Sequence, residues 1–198
     1  MTVADKMTSL RLILAPFFFI VYLYPRYFPF SGLGWTVPVL WTIFVFSEIT
    51  DLLDGYLARK RDEVSDFGKL FDPFADTLTQ ITYFLCFVID GIFPPFTFLI
   101  VIYREFSVLF VRNLMLKKGI TMGARMSGKI KTVTYAIAGA LALLASSATR
   151  LGLCTDYCEL ITLAARMVFA LSMVLAVISL VIYVVVYFKT PDTAQSNE

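Results

Sequence analysis

The sequence predicts an all-α, polytopic membrane protein, with six transmembrane helices around a polar cavity that opens at one face of the bilayer. Three observations predict it. The chain is 59% hydrophobic and only 16% charged, and its mean hydropathy of +0.78 lies far outside the soluble range. Apolar stretches of spanning length, which needs roughly 20 residues, recur at about 8–25, 36–58, 68–90, 93–116, 128–149 and 160–188. Three of these stretches carry charges at positions that would lie within the bilayer, where a charge nearly always faces a cavity or a partner.

Taken in order, the first stretch follows Lys6 and Arg11 and resembles a signal peptide, but no small-residue cleavage site follows it, so it is expected to be retained as a helix. Pro29, Gly32, Gly34 and Pro38 break the chain before the second stretch, and Gly91, Pro94 and Pro95 before the fourth. Pro38 and Pro94 fall near helix starts, where a missing N–H costs least. The second stretch is uncharged only from Thr36 to Ser47, ahead of Glu48, Asp51 and Asp54, and the third only from Thr77 to Ile89. The fourth carries Arg104, Glu105 and Arg112, whereas the fifth and sixth read as ordinary spans with Arg166 near one end of the sixth. The six stretches use most of the chain, so residues 1–198 should form a single membrane domain.

Lys and Arg distribution orients the bundle. Of the 17 basic residues, all but Arg26, Arg104, Arg150 and Arg166 fall on the side that carries the acidic residues, and Arg26 and Arg150 lie in the opposite loops. By the positive-inside rule, both termini and the acidic cluster should face the cytoplasm. A net charge of +2, with no basic run interleaved with aromatics, excludes nucleic acid as a partner. Cys86 reads as packing, while Cys154 and Cys158 lie in an outward loop where an oxidising compartment would allow them to pair.

The chemistry concentrates between Asp51 and Asp76. Asp51 and Asp54 are three apart, and Asp72 and Asp76 four apart. An i+3 step returns to within roughly 60° of the starting face and an i+4 step to within about 40°. Each pair therefore shares one helix face, and a hairpin lets the two faces converge. Four clustered carboxylates call for a cation, and oxygen-only ligands select Mg²⁺ or Mn²⁺. The chain has no His, which argues against zinc. Gly55, Ala58, Gly68 and Ala75 lie on the same faces and leave room beside the acids.

The full string D-x2-D-G-x2-A-R-x8-G-x3-D-x3-D, read from Asp51 to Asp76 with every fixed position filled, resembles the signature of the CDP-alcohol phosphotransferases, integral membrane enzymes that move a phosphatidyl or similar group from a CDP-linked donor to an alcohol. The resemblance covers about residues 5–135. It implies that Asp51, Asp54, Asp72 and Asp76 bind one or two divalent ions, with two the expected number, and that Asp76 is also the catalytic base. It implies a donor site at Asp51, Gly55, Ala58, Arg59, Gly68 and Asp72. R-E-F-x5-R (Arg104 to Arg112), G-K-I-K-T (Gly128 to Thr132) and T-S-L-R-L-I-L-A-P (Thr8 to Pro16) look like the bacterial branch whose donor is CDP-diacylglycerol and whose acceptor is sn-glycerol 3-phosphate. By this resemblance the protein is a homodimer of the bacterial cytoplasmic membrane, active at its cytoplasmic face.

Arg112, Lys129, Arg104, Arg125 and Lys131 form a basic set suited to an acceptor phosphate. Arg112 and Lys129 rank first, because a guanidinium grips phosphate at two points and Lys129 adds its charge to a helix N-terminus. Glu105, seven residues before Arg112, is expected to orient that guanidinium. The alternatives are a sister enzyme with another acceptor, such as inositol phosphate, and more distantly a carboxylate-lined cation transporter. Membrane prenyltransferases also use paired Asp residues with Mg²⁺, but their motifs lie far apart in the chain.

Overall fold

The computed structural model describes residues 3–28, 33–61, 66–117, 126–153 and 156–189. These residues form six α-helices: α1 (Val3–Tyr27), α2 (Thr36–Arg61), α3 (Asp66–Ile89), α4 (Pro95–Lys117), α5 (Met126–Arg150) and α6 (Asp156–Lys189). A 3₁₀ turn, Leu33–Trp35, leads into α2. All six helices coincide with the stretches anticipated from hydropathy and chain breaks. By length and composition alone, three segments are apolar enough to cross a membrane: Lys6–Tyr27, Ile130–Arg150 and Tyr157–Lys189. The other three helices carry the interrupting charges: Glu48, Asp51 and Asp54 in α2, Asp72 and Asp76 in α3, and Arg104, Glu105 and Arg112 in α4.

Two turns are built on left-handed glycines. Gly91 (φ 71°) and Gly152 (φ 66°) each follow a helix end. Around Gly91, Ile92 N–H reaches back to Phe87 O and Gly91 N–H to Val88 O. Around Gly152, Leu153 N–H bonds Ala148 O and Gly152 N–H bonds Thr149 O. Both patterns satisfy carbonyls that a helix end would otherwise leave open, and a side chain at φ near +70° would be strained. α4 then starts at Pro95, a first-turn position that needs no N–H donor.

Successive helices alternate in direction, so the N-terminal halves of α1, α3 and α5 share one end of the bundle with the C-terminal halves of α2, α4 and α6. α1 packs on α3 and α2, α5 on α6, and α4 on α6 and α3. The interior is aromatic and small. Phe18 sits 4.4 Å from Tyr83, Phe93 stacks on Phe169 at 4.0 Å, and Phe84 meets Tyr135 edge-on at 5.0 Å. Ala138, Ala142, Ala165 and Ala176 are buried beside them. A Cβ on Gly139 would stand 3.1 Å from the Phe44 ring, so this glycine sets how closely α5 approaches α2. Outward-facing Ile13, Ile20, Phe96, Phe110 and Met167 are more than half exposed. An apolar exterior and close interior contacts suit a bundle that lipid surrounds, where packing rather than water exclusion draws helices together.

A polar clamp closes the end away from the Asp51–Asp76 string. Arg150 Nε donates to Ser146 Oγ (3.1 Å), Ser146 to Asp90 Oδ2 (3.2 Å), and Tyr22 Oη to the same Asp90 oxygen (2.6 Å). Arg150 also reaches Tyr22 O (2.8 Å) and lies over the Tyr22 ring at 4.4 Å. The clamp ties α1, α3 and α5 together. Nearby, Arg166 of α6 donates to the carbonyls of Ile92 (2.7 Å) and Gly91 (2.9 Å), fixing the α3–α4 turn. Cys158 is a free, buried thiol rather than half of a disulfide; Cys154 lies outside the described residues. Replacing Asp90 by Ala removes the acceptor for two hydroxyls, a change expected to cost about 1–3 kcal/mol. Thermal unfolding of the purified variant in detergent should show the loss, and an unchanged midpoint would contradict the clamp.

Candidate active site

At the other end of the bundle, α1, α2 and α3 bring their charged turns together. One turn of α1 supplies the contacts. Thr8 Oγ1 donates to Asp72 Oδ1 at 2.8 Å, and one nitrogen of Arg11, NH1, donates to Asp51 Oδ1 and to Asp76 Oδ1, both at 2.6 Å. Asp51 and Asp76, 25 positions apart on different helices, therefore present oxygens no further apart than twice that distance. Deeper in the bundle, Tyr83 of α3 donates to Ser47 of α2 at 2.9 Å and holds the two helices in register. Ala75 is fully buried and Gly68 is buried, so α3 lies close to its neighbours on this side.

Burial is asymmetric. The Arg11 side chain is 4% exposed, whereas Asp51 and Asp76 are 33% and 35% exposed. The guanidinium thus backs the two carboxylates from inside the bundle, and their outer faces stay open. Below them, Glu48 and Gln80 border a cavity of about 10 Å³ with Phe44, Tyr83 and Tyr135, a space the size of a single water.

The donor set consists of carboxylate oxygens, which fits a hard divalent ion. Among the described residues no three acidic or cysteine side chains close on a single point. Asp51 and Asp76 converge, Asp72 is held by Thr8, and the side chain of Asp54 lies outside the described ones, as do those of Ala58 and Arg59. From the sequence, Arg11 reads as a flanking charge and Thr8 and Arg11 as part of a first-helix resemblance, with no contact to the acidic residues expected of either. The available signal was an arginine inside an apolar helix, which must find an anion.

The basic set divides. Arg104 NH1 donates to Glu105 Oε2 (2.8 Å), Lys131 Nζ to Glu105 Oε1 (2.8 Å), and Arg104 Nε to Ala176 O on α6 (3.0 Å). All three charged side chains are buried, and Lys131 also lies over the Tyr135 ring at 4.6 Å. Glu105 therefore does not orient Arg112, contrary to the expectation from their spacing. Seven residues of helix rise about 10.5 Å, too far for that contact, while Lys131 comes alongside from α5. Arg112 is half-buried and makes no hydrogen bond or ion pair to a described residue. The side chains of Arg125 and Lys129 lie outside the described residues.

Glu105→Gln would leave two buried cations without their anion, a change expected to cost about 3 kcal/mol or more. The double variant Glu105→Gln/Lys131→Met should recover part of that loss, and additive losses in thermal unfolding would show that the triad is not a unit.

Fold and site together define an all-helical bundle with a membrane-protein surface and a carboxylate cluster at one end, gathered from two helices by a third. The profile of the CDP-alcohol phosphatidyltransferase family matches residues 1–185. A Treponema pallidum (strain Nichols) protein named CDP-diacylglycerol–glycerol-3-phosphate 3-phosphatidyltransferase is 39% identical over 194 residues, covering 95% of this chain and 90% of the relative. A Bacillus subtilis (strain 168) protein of the same name is 34% identical over 145 residues, covering 71% and 75%. One from Wigglesworthia glossinidia brevipalpis is 31% identical over 130 residues, covering 64% and 68%. The chain belongs to the CDP-alcohol phosphatidyltransferase family, and Asp51, Asp72 and Asp76 stand at the end of the bundle where its signature string lies.

Proposed function

We propose that this protein transfers the phosphatidyl group of CDP-diacylglycerol to sn-glycerol 3-phosphate, releasing CMP and forming phosphatidylglycerophosphate. The observation that carries the reading is the convergence of Asp51 and Asp76, with Asp72 one turn from Asp76, in a chain whose relatives bear that enzyme's name. Asp51, Asp54, Asp72 and Asp76 would hold the divalent ions, Mg²⁺ or Mn²⁺ and two in number, whose charge neutralises the donor diphosphate and makes CMP a good leaving group. Gly55, Ala58, Arg59 and Gly68 border the cytidine diphosphate. Asp76 takes the proton of the acceptor hydroxyl; the freed oxygen forms a bond to the lipid-side phosphorus as the bond from that phosphorus to the CMP oxygen breaks.

The acceptor is a dianion and needs cations that are not already paired. Arg104 and Lys131 answer Glu105 and read as scaffold rather than as acceptor contacts. Arg112, with Lys129 and Arg125 from the start of α5 and the segment before it, forms the acceptor phosphate site. The charged helices α2, α3 and α4 span the membrane together with the three apolar ones. The whole chain acts as one domain in the bacterial cytoplasmic membrane, as a homodimer with the carboxylates toward the cytoplasm. The distribution of Lys and Arg supports this orientation.

The direct test is CMP release by purified protein from CDP-diacylglycerol, run against a panel of acceptors. Glycerol 3-phosphate should be the productive one and EDTA should stop the reaction; release with an inositol phosphate in its place would assign the sister activity. Asp51→Ala, Asp54→Ala and Asp72→Ala should each abolish turnover, and wild-type rates in two of them would end the site assignment. Asp76→Asn should lower kcat about 10²-fold or more with donor affinity largely kept.

Arg112→Ala and Lys129→Ala should raise KM for glycerol 3-phosphate roughly ten- to a hundredfold before KM for the CDP-lipid moves, the size of a lost charge-assisted contact. An unchanged acceptor KM in both would turn the reading toward an uncharged alcohol.

A further inference from the structure

The Thr8–Arg11 turn of α1 lies outside the signature string, yet it makes the contacts that arrange the acidic residues. Thr8 Oγ1 holds Asp72 Oδ1 at 2.8 Å, and Arg11 NH1 holds one oxygen each of Asp51 and Asp76 at 2.6 Å. The turn is internally linked, since Arg11 NH2 also lies 3.4 Å from Thr8 Oγ1. Thr8 is fully buried and Arg11 nearly so, while Asp51 and Asp76 are about one-third exposed and Asp72 is partly exposed.

We propose that Thr8 and Arg11 are positioning residues of the metal site: they engage one oxygen of Asp72, Asp51 and Asp76 from the buried side and aim the others outward, fixing the separation of α2 and α3 at which a divalent ion is bound. Three features support this over a simple ion pair. A single nitrogen serves carboxylates from two helices, so the contact sets a distance between them. The Thr8 and Arg11 contacts use only Oδ1 of each carboxylate, so the turn itself leaves the second oxygen of Asp72, Asp51 and Asp76 unengaged. The cation is the buried partner, so an incoming ion approaches the exposed faces without displacing it. Unbacked, Asp51 and Asp76 would repel at this separation and the two helix ends would part. Partners that orient metal-ligating carboxylates in this way typically change metal affinity 10- to 100-fold when removed.

The proposal rests on the metal reading above, and the sign of one measurement separates it from the alternative. A guanidinium that merely competed with the ion would, once removed, leave a more negative site that binds a dication more tightly. A positioning residue, once removed, leaves a site that binds it less tightly. The experiment is Mn²⁺ binding to purified full-length protein in detergent micelles, read as loss of the free-ion electron paramagnetic resonance signal, with no substrate and no turnover. Arg11→Gln is expected to raise the Mn²⁺ Kd about 10- to 100-fold, with Arg11→Lys restoring much of it, because one donor nitrogen suffices for both oxygens. Thr8→Val, nearly isosteric, is expected to raise Kd about threefold or more through Asp72 alone, and it carries the test if Arg11→Gln does not fold. An unchanged or lowered Kd in the folded Arg11 variant, or in Thr8→Val where it stands in, overturns the proposal while leaving the metal site in place. Wild-type protein with no Mn²⁺ binding sensitive to Asp51→Asn overturns the metal reading itself, and this proposal with it.

Discussion

A charge buried in a bundle that lipid surrounds has no water to fall back on, so each one must meet an opposite charge or a dipole from another helix. This constraint organises the structure at three levels. At one end Arg11 lies between Asp51 and Asp76. Toward the same end, Glu105 lies between Arg104 and Lys131. At the far end Asp90 answers Tyr22, Ser146 and, at 3.9 Å, Arg150. Each cluster joins separate helices, and together they involve α1, α2, α3, α4, α5 and, through Ala176 O, α6. Apolar packing alone would leave such helices free to slide, because aromatic and alanine surfaces match in many registers; a buried ion pair matches in one.

The three clusters differ in what they leave open. The Glu105 triad is buried throughout, with both oxygens of its carboxylate engaged by Arg104 and Lys131. Its cations are therefore committed to the scaffold. In the Arg11 cluster only the cation is buried, and the carboxylates keep an open face. The Asp90 clamp, remote from the signature string, uses hydroxyls and a carbonyl beside the ion pair. Exposure alone does not separate holding from chemistry, since Asp90 is as exposed as Asp76; the difference is that Asp90 is met by two hydroxyls, whereas Asp51 and Asp76 share a single arginine nitrogen.

Much of this was legible in the sequence. Helix bounds followed from Gly and Pro breaks, because a left-handed Gly91 and a first-turn Pro95 end and start helices for local reasons. The convergence of Asp51 with Asp76 followed from helical spacing and a hairpin. The choice of partners did not follow. Glu105 pairs with Lys131 across to α5 rather than with Arg112 on its own helix, and Arg11 turns inward rather than flanking the membrane. Spacing along one helix reports which residues share a face; it carries no information on which neighbour that face meets, or at what depth. Asp90 went unremarked for the same reason: its meaning depends on Tyr22 and Ser146, 68 and 56 positions away.

The division of the basic residues bears on how such a site tells its two anionic substrates apart. A diphosphate held through metal ions needs carboxylates, and a phosphate monoester needs bare cations; if both sets lay in one open pocket they would pair with each other. Here the pairing is partly pre-empted. Arg11 sits behind the carboxylates and leaves their outer oxygens free, while Glu105 takes up Arg104 and Lys131 and leaves Arg112, further along α4, without a protein anion among the described residues. Arg112 lies eight residues beyond Arg104, about 12 Å along the helix, toward the end where the carboxylates open. Arg112 and the partly exposed carboxylates are then at the same end of the bundle but on different helices, and among the described residues the two sets do not pair with each other.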